Sequence, residues 1–161
     1  MGSARSHGKT RAACDFLVGQ FQWSFFDLLD YQIGHYDYQH RNQDDDFLPL
    51  VRKLIATSDH WVFATPIYWY AMSGHLKVFL DRLTDLMDLY PDLLEALKGK
   101  QLSLVISCSI EELPEGFLVP FRDTAEYLGM EWKGHVHTWL EEEALPPEIQ
   151  SQLQAFGAAR T

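Results

Sequence analysis

The chain has 161 residues, a formal net charge of −10 and 47% hydrophobic residues. This length suits one domain with a substantial core, and the apolar content excludes a disordered chain. The negative charge argues against binding to nucleic acid or to an anionic membrane surface. The two cysteines, Cys14 and Cys108, are far apart in the sequence, which favours a reducing compartment. We therefore expect a cytoplasmic protein with no secretory leader and no membrane span.

The first ten residues have the composition of a phosphate-binding loop. Glycines 2 and 8 give the backbone unusual freedom, and the loop also carries three hydroxyls and two cations, namely Ser3, Ser6, Thr10, Arg5 and Lys9. From Ala13 to Phe21, apolar residues recur at helical spacing, which predicts a helix directly after the loop. The loop amides would then lie at a helix N-terminus, where the helix dipole stabilises an anion.

Strands and helices are predicted to alternate along the rest of the chain. The strands are expected at 23–29, at 60–65 with Pro66 closing the strand, at 101–107 and at 131–140, and the helices at 47–55, 76–87, 91–98, 117–128 and after Pro147. This alternation predicts a parallel sheet with helices on both faces. Ligands of such sheets bind at the carboxyl ends of the strands, where the loops 2–10, 66–75 and 107–116 are expected to meet.

The stretch from Thr65 to Arg82 is the second informative segment. It combines a strand end, a rigid turn at Pro66, three consecutive aromatic residues at 68–70 and a helix start. Aromatic rings at the end of a strand offer a stacking surface for a planar ligand. The alternative interpretation is that these aromatic residues only cover the core.

Together the two segments resemble the flavodoxin-like NADPH-dependent FMN reductase family. Members of that family show a first loop of the type GSxRxxGxT and a second of the type TPxYxxxxxGxLKxFxDR, which correspond here to residues 2–10 and 65–82. The resemblance implies an α/β fold of the flavodoxin type, with a doubly wound parallel sheet in three layers, α/β/α. It also implies an enzyme that passes a hydride from NADPH or NADH through bound FMN to a small acceptor such as a quinone or a flavin.

The resemblance assigns roles to particular residues. It places the FMN phosphate on the first loop, at Ser3, Arg5, Gly8, Lys9 and Thr10. It places the isoalloxazine ring between Pro66, Ile67, Tyr68 and Trp69 on one side and Cys108 and Ser109 on the other. We assign no catalytic acid or base, because the flavin carries the chemistry. We assign no metal ligand, because His135 and His137 on one strand have no evident third ligand. A homodimer is the expected assembly.

Two other functions are compatible with parts of the sequence. A nucleotide P-loop, GxxxxGK[ST], would make the chain a phosphotransferase, but its first glycine would fall at position 3, which is Ser3. The aromatic segment also has no role in that scheme. A flavodoxin-type electron carrier without catalytic activity would share the fold, the charge and the FMN, so composition does not reject it.

The start of the sequence predicts an unusual sheet. A flavodoxin-type domain orders its strands 2-1-3-4-5, yet only four strands are predicted and none precedes Gly2. We therefore expect a single FMN-binding domain over residues 1–161 that is truncated by about one strand and lacks the usual first strand. Met1 would be the last apolar residue of that strand. Alternatively, strand 2 pairs directly with strand 3, or a partner molecule donates a strand.

Overall fold

A computed structural model describes residues 1–140 and 144–160. Its sheet contains the strands β1 (His60–Tyr68), β2 (Ala71–Met72), β3 (Gln101–Cys108) and β4 (Glu131–Trp139). The strand order is β2-β1-β3-β4, with parallel pairing between β1, β3 and β4 and a short antiparallel pairing of β2 with the end of β1. The predicted parallel sheet is thus confirmed.

The helices follow the predicted alternation. They are α1 (Lys9–Phe21), α2 (Phe47–Thr57), α3 (Gly74–Arg82), α4 (Thr84–Asp88), α5 (Pro91–Glu95), α6 (Val119–Tyr127) and α7 (Pro147–Ala158). The single helix predicted at 76–87 is in fact two, α3 and α4, with Leu83 at their junction. Among the helices of the described residues, none is long and apolar enough to cross a bilayer.

The helices cover both faces of the sheet. On one face α1 and α7 pack against Ala64, Val105 and Val136. On the other face α2, α3 and α6 pack in two adjoining clusters with strand residues such as Trp61 and Leu104. Successive strand residues point to opposite faces, so the middle of β3, which is buried on both, is an almost continuous apolar run.

Pro66 does not end β1, and the predicted boundary is wrong. The strand continues to Tyr68, and Pro66 lies in register with Ser107 of β3. In a parallel strand, alternate residues direct their main-chain groups to opposite neighbours. The Ala64 carbonyl accepts from Gly2, on the side away from β3, so Pro66, two residues later, also faces away from β3. Its missing N–H therefore removes no hydrogen bond to β3.

The strand predicted at 23–29 is also wrong. Residues 23–27 are irregular, and Leu28–Asp30 forms one 3₁₀ turn. The segment bonds to Met1, whose nitrogen donates to the Phe26 carbonyl (2.6 Å) and whose carbonyl accepts from the Leu28 amide (2.9 Å). One bridging residue is too little for a ladder. Direct pairing of this segment with β1, the predicted rearrangement, is absent from the sheet of the described residues.

A buried ion-pair network holds the loop that precedes α2. The Arg82 side chain is 3% exposed; it donates to Asp85 over 2.7 Å and to Asp45, and it also reaches the carbonyls of Gly34 and Asn42. Burial opposes ionisation of Asp45, but the hydrogen bond from Arg82, with two from backbone amides, holds the pKa of that carboxyl below its usual value.

We predict that Arg82→Ala lowers the free energy of unfolding by about 3–5 kcal/mol, because it leaves two partly buried carboxylates without their cation. Lys77 of the same helix is the matched control, since its pair with Asp81 is exposed. Lys77→Ala should cost less than about 0.5 kcal/mol. Chemical denaturation of both variants measures the difference, and equal losses would contradict the structural role of Arg82.

Candidate functional site

The first loop is fixed to the sheet through Gly2. Its amide donates to the Ala64 carbonyl (2.8 Å), and its carbonyl accepts from the Ser73 hydroxyl (2.8 Å). A Cβ at Gly2 would lie 2.7 Å from the Leu76 Cβ, so only glycine allows this approach to α3. Ser73 is fully buried and also caps α3, because its hydroxyl accepts from the Leu76 amide (3.2 Å).

The loop ends at the N-terminus of α1. The N-cap is Gly8, which has no side chain to cap the helix and has φ 124°, a value that other residues rarely adopt. The first helical bond runs from the Ala12 amide to the Gly8 carbonyl (2.9 Å). The amides of residues 9–11 therefore have no helical acceptor. With the ammonium of Lys9 beside them, they form an electropositive end to the helix.

Two hydrogen bonds join the first loop to the end of β3. The Lys9 ammonium donates to the Ser109 hydroxyl over 2.8 Å, and the buried hydroxyls of Thr10 and Ser107 bond to each other. The Ser3 hydroxyl is also buried and lies 3.5 Å from the Arg5 amide. The hydroxyls of Ser3 and Thr10 thus shape the loop from inside, and Lys9 lies at its surface.

The second loop is a tight hairpin with an aromatic tip. Tyr68 pairs with Ala71, and the two residues between them, Trp69 and Tyr70, have φ values of 49° and 65°. Positive φ at both positions is the pattern of a type I′ turn, for which Asn-Gly is the favoured sequence. Trp69 is 93% exposed and Tyr70 75%, so neither side chain gains packing within the chain that would offset this strain.

The third loop places a thiol beside an imidazole. The Cys108 Sγ lies 3.0 Å from the His137 Nε2 and 3.0 Å from the Ile110 carbonyl. Burial raises the pKa of the Cys108 thiol, although the Ile110 amide and the charge of Lys9 act against this. Burial, with the nearby His135, lowers the pKa of His137. The pair is therefore neutral near pH 7.

A cavity of about 430 Å³ lies between the first two loops and the chain that follows residue 28. This volume is within the usual range of small-molecule sites. Its wall includes Ala4 of the first loop, Tyr68 and His75 of the second, and Tyr31 and His35. Apolar and aromatic groups line the cavity, and a few side chains can form hydrogen bonds.

The structure brings the three predicted loops together at the carboxyl edge of the sheet. Gly2 bonds to Ser73, which follows the hairpin, and Lys9 bonds to Ser109. Sequence reasoning missed that Ser73 and Ser107 hold these loops in place. The sequence Ser-Gly-His-Leu at 73–76 signals a helix cap, but the second bond to Gly2 spans 71 residues and leaves no local pattern.

The family described as NADPH-dependent FMN reductase matches residues 1–112 of the chain. The chain belongs to this family. A putative NAD(P)H-dependent FMN-containing oxidoreductase of Bacillus subtilis is 30% identical over 170 residues, which cover 98% of this chain and 91% of that protein. The chain is accordingly an oxidoreductase that uses FMN and a nicotinamide co-substrate, as the resemblance implied.

Solved structures confirm the flavodoxin-like fold. The Trp repressor binding protein of Bacillus subtilis superposes with a TM-score of 0.75 at 22% identity, covering 100% of this chain and 98% of that one. An NADPH-quinone reductase of P. pentosaceus gives a TM-score of 0.70 at 18% identity, covering 99% and 94%. The layer order α/β/α is thus that of known flavodoxin-like proteins.

We predict that Ser73→Ala lowers the free energy of unfolding by about 2–4 kcal/mol, because it uncaps α3 and leaves the Gly2 carbonyl without its donor. Ser151→Ala is the control, since the Ser151 hydroxyl bonds the Pro147 carbonyl within one exposed helical turn. The control should change stability by less than about 0.5 kcal/mol. Thermal denaturation of the two variants measures the difference. A loss of less than about 1 kcal/mol in the free energy of unfolding of Ser73→Ala would contradict the role of Ser73 in holding Gly2 and capping α3.

Proposed function

We propose that the protein transfers reducing equivalents from NADPH or NADH to a small planar acceptor, such as a quinone or a flavin, with FMN at the carboxyl edge of the sheet. The observation that carries this proposal is the junction of two unlike surfaces. An electropositive helix start lies next to a strained aromatic hairpin, and the Gly2 to Ser73 bond joins them. FMN has the matching two parts, an anionic phosphate and a planar ring.

The first loop fits the phosphate. The free amides at the start of α1 point along the helix axis, and Lys9 adds a positive charge that Ser109 orients. We assign the phosphate to the loop residues Ser3, Arg5, Gly8, Lys9 and Thr10. Within that group, Lys9 and the backbone would contact the anion, whereas the buried Ser3 and Thr10 would keep the loop in shape.

The second and third loops fit the ring. Pro66, Ile67, Tyr68 and Trp69 supply one border, with backbone amides beside aromatic surface, and Cys108 and Ser109 supply the other. Because the Cys108 thiol stays neutral, it would act there as a compact apolar group. When bound, FMN supplies the hydride chemistry, and the residues only bind, orient and exclude water.

The cavity beside Tyr68 fits the acceptor. The NADPH-quinone reductase among the structural neighbours and an NADPH azoreductase of Bacillus sp., 31% identical over 83 residues, are named for planar acceptors. The alignment covers 52% of this chain and 47% of the azoreductase. His35 and His75 in the cavity wall can donate hydrogen bonds to a quinone or azo group.

Exposed apolar side chains and free thiols support the proposed assembly and location. Exposed aromatic residues at the hairpin tip, together with Ile110, support a homodimer that covers this edge. Both cysteines are free thiols, which supports a reducing compartment and hence the cytoplasm.

The first test is spectroscopic. We expect the purified protein to bind FMN, to lose the yellow flavin absorbance when NADPH or NADH is added without oxygen, and to regain it when a quinone is added. A yellow protein that neither nicotinamide bleaches would instead be an electron carrier. A protein that hydrolyses ATP and does not bind flavin would refute both.

We predict that Lys9→Ala weakens FMN binding about 10–100-fold, the loss expected for one charged hydrogen bond to the phosphate. Riboflavin, which lacks the phosphate, is the matched ligand and should bind both proteins equally. Fluorescence titration measures both affinities. If the two flavins lose affinity to the same extent, Lys9 does not contact the phosphate.

We predict opposite effects on stability and activity when the hairpin tip is replaced by Asn-Gly. Trp69→Asn with Tyr70→Gly should raise the free energy of unfolding by about 1–2 kcal/mol, because it removes the left-handed strain. It should also slow NADPH-driven reduction of a quinone by removing the stacking surface. Thermal denaturation and steady-state kinetics test the two effects, and unchanged kinetics would refute the role of the aromatic tip.

A further inference from the structure

A cluster of three polar side chains lies at the amino ends of the strands, at the opposite edge of the sheet from the three loops. His60 begins β1, Ser103 is the third residue of β3, and Arg160 follows the end of α7. The Ser103 Oγ lies 2.8 Å from the His60 Nε2 and 2.8 Å from the Arg160 Nε, and Ser103 is fully buried. One buried hydroxyl therefore serves an imidazole and a guanidinium.

Arg160 fastens the end of α7 to the sheet. Its Nη1 donates to the Phe156 carbonyl (2.6 Å), and its guanidinium lies 3.6 Å from the centre of the Phe156 ring. Its Nη2 donates to the Lys133 carbonyl, at a β-bulge where two residues of β4 oppose Ser103. The amide of Arg160 closes the turn 157–160 by donating to the Gly157 carbonyl (2.9 Å). The acceptors of these bonds are all uncharged.

The two bonds of Ser103 determine where its hydrogen lies. A guanidinium nitrogen can only donate, so the Ser103 Oγ accepts from the Arg160 Nε. The hydroxyl hydrogen is then left to donate to the His60 Nε2, which must be unprotonated. His60 is therefore neutral, with its own hydrogen on Nδ1. If His60 took up a proton, both neighbours would donate to Ser103, and the buried hydroxyl hydrogen would lose this acceptor.

Burial and positive charge also oppose protonation of His60. Burial, which is the largest cause, and then the charges of Arg160 and Lys133 lower the pKa of His60 from its ordinary value of 6.5 to about 4. Burial and Arg160 also lower the pKa of His135 on β4, so a second imidazole near Arg160 is neutral at pH 7.

The acidic side chains nearby do not offset these charges. The Asp59 side chain is 98% exposed and pairs with Lys100, and Glu131 pairs with Lys133. The helices α1 and α2 contribute no charged side chain to the cleft that this imidazole lines, within the described part of the chain. Their one titratable group there is the Cys14 thiol, and burial raises its pKa to about 11.

We infer that His60, Ser103 and Arg160 form a pH-sensitive latch that holds the turn 157–160 against the sheet. When His60 takes up a proton, its Nε2 stops accepting from Ser103, and Arg160 leaves the hydroxyl and the second positive charge. The turn then detaches, whereas Ile149 and Leu153 keep the rest of α7 in the core. This inference does not depend on flavin binding.

The direction of the pH effect follows from the lowered pKa of His60. The closed latch binds the proton more weakly than the open one, so the latch is fully closed above pH 6.5 and opens as the pH falls toward 4. If His60 has its ordinary pKa of 6.5 in the open latch, the closed-to-open ratio falls about 70-fold between pH 7.5 and pH 4.5.

The experiment uses nitrogen NMR and hydrogen exchange on the full chain. At pH 7.5 we expect the imidazole of His60 to carry its hydrogen on Nδ1. Between pH 7.5 and pH 4.5 we expect the protection of the Arg160 Nε–H and amide, corrected for the intrinsic effect of pH, to fall about tenfold or more. A His60 hydrogen on Nε2 at pH 7.5 would overturn the inference, and so would protection that does not change with pH.

Two variants separate the latch from a general effect of acid. In His60→Gln, the amide oxygen can accept from Ser103 and does not titrate, so the protection should no longer depend on pH. Arg160→Gln should raise the pKa of His60, because it removes a nearby positive charge. Arg122→Gln is the matched control, since Arg122 is exposed on α6 and pairs with Asp123, and it should leave the pKa of His60 unchanged.

The variants can also refute the latch. If His60→Gln loses protection on acidification to the same extent as the unchanged protein, another group carries the pH dependence. If Arg160→Gln and Arg122→Gln have the same effect on the pKa of His60, Arg160 does not act on the imidazole. No flavin is used in these measurements, so a failed flavin assay leaves this test intact.

Discussion

The two hydrogen bonds of Gly2 fix the first loop to β1 and α3 at the carboxyl edge of the sheet. One ties the first loop to β1 through Ala64, and the other ties it to α3 through Ser73. Because a Cβ at Gly2 would collide with Leu76, the loop can reach this position only with glycine. This contact links the loop that leads into α1 to the residue that follows the hairpin, and the cavity lies between these two loops.

The charge at the carboxyl edge of the sheet differs from that of the chain as a whole. The chain has a net charge of −10, yet the start of α1 combines free amides with Lys9. An acidic surface disfavours nonspecific polyanions, while in the proposed function the local positive site would bind the phosphate of FMN at short range. In the proposed function the aromatic hairpin would border the flavin ring. The positive φ values of Trp69 and Tyr70 show that the sequence of this tip is not the one that makes the turn most stable.

Stability lies elsewhere in the fold. Core packing occupies both faces of β3, and Arg82 fixes the long loop before α2 through buried carboxylates. The edge of β1 away from β3 is less well packed, because Val62 faces a cleft there. The first loop begins at that same edge, where the Gly2 amide bonds to the Ala64 carbonyl.

The sequence by itself determined the parallel α/β class, three of the four predicted strands and the family. These follow from signals within short stretches of the sequence, namely the spacing of apolar residues, the positions of glycines and the two motifs. Tertiary structure alone decided that β1 passes through Pro66, that residues 23–29 form no strand, and that Ser73 and Ser107 clamp the loops. The two serine bonds join residues that are 71 and 97 positions apart in the sequence. The strand boundaries depend on whether a neighbouring strand is present beside the segment. Local residue patterns contain no information about either of these long-range partners.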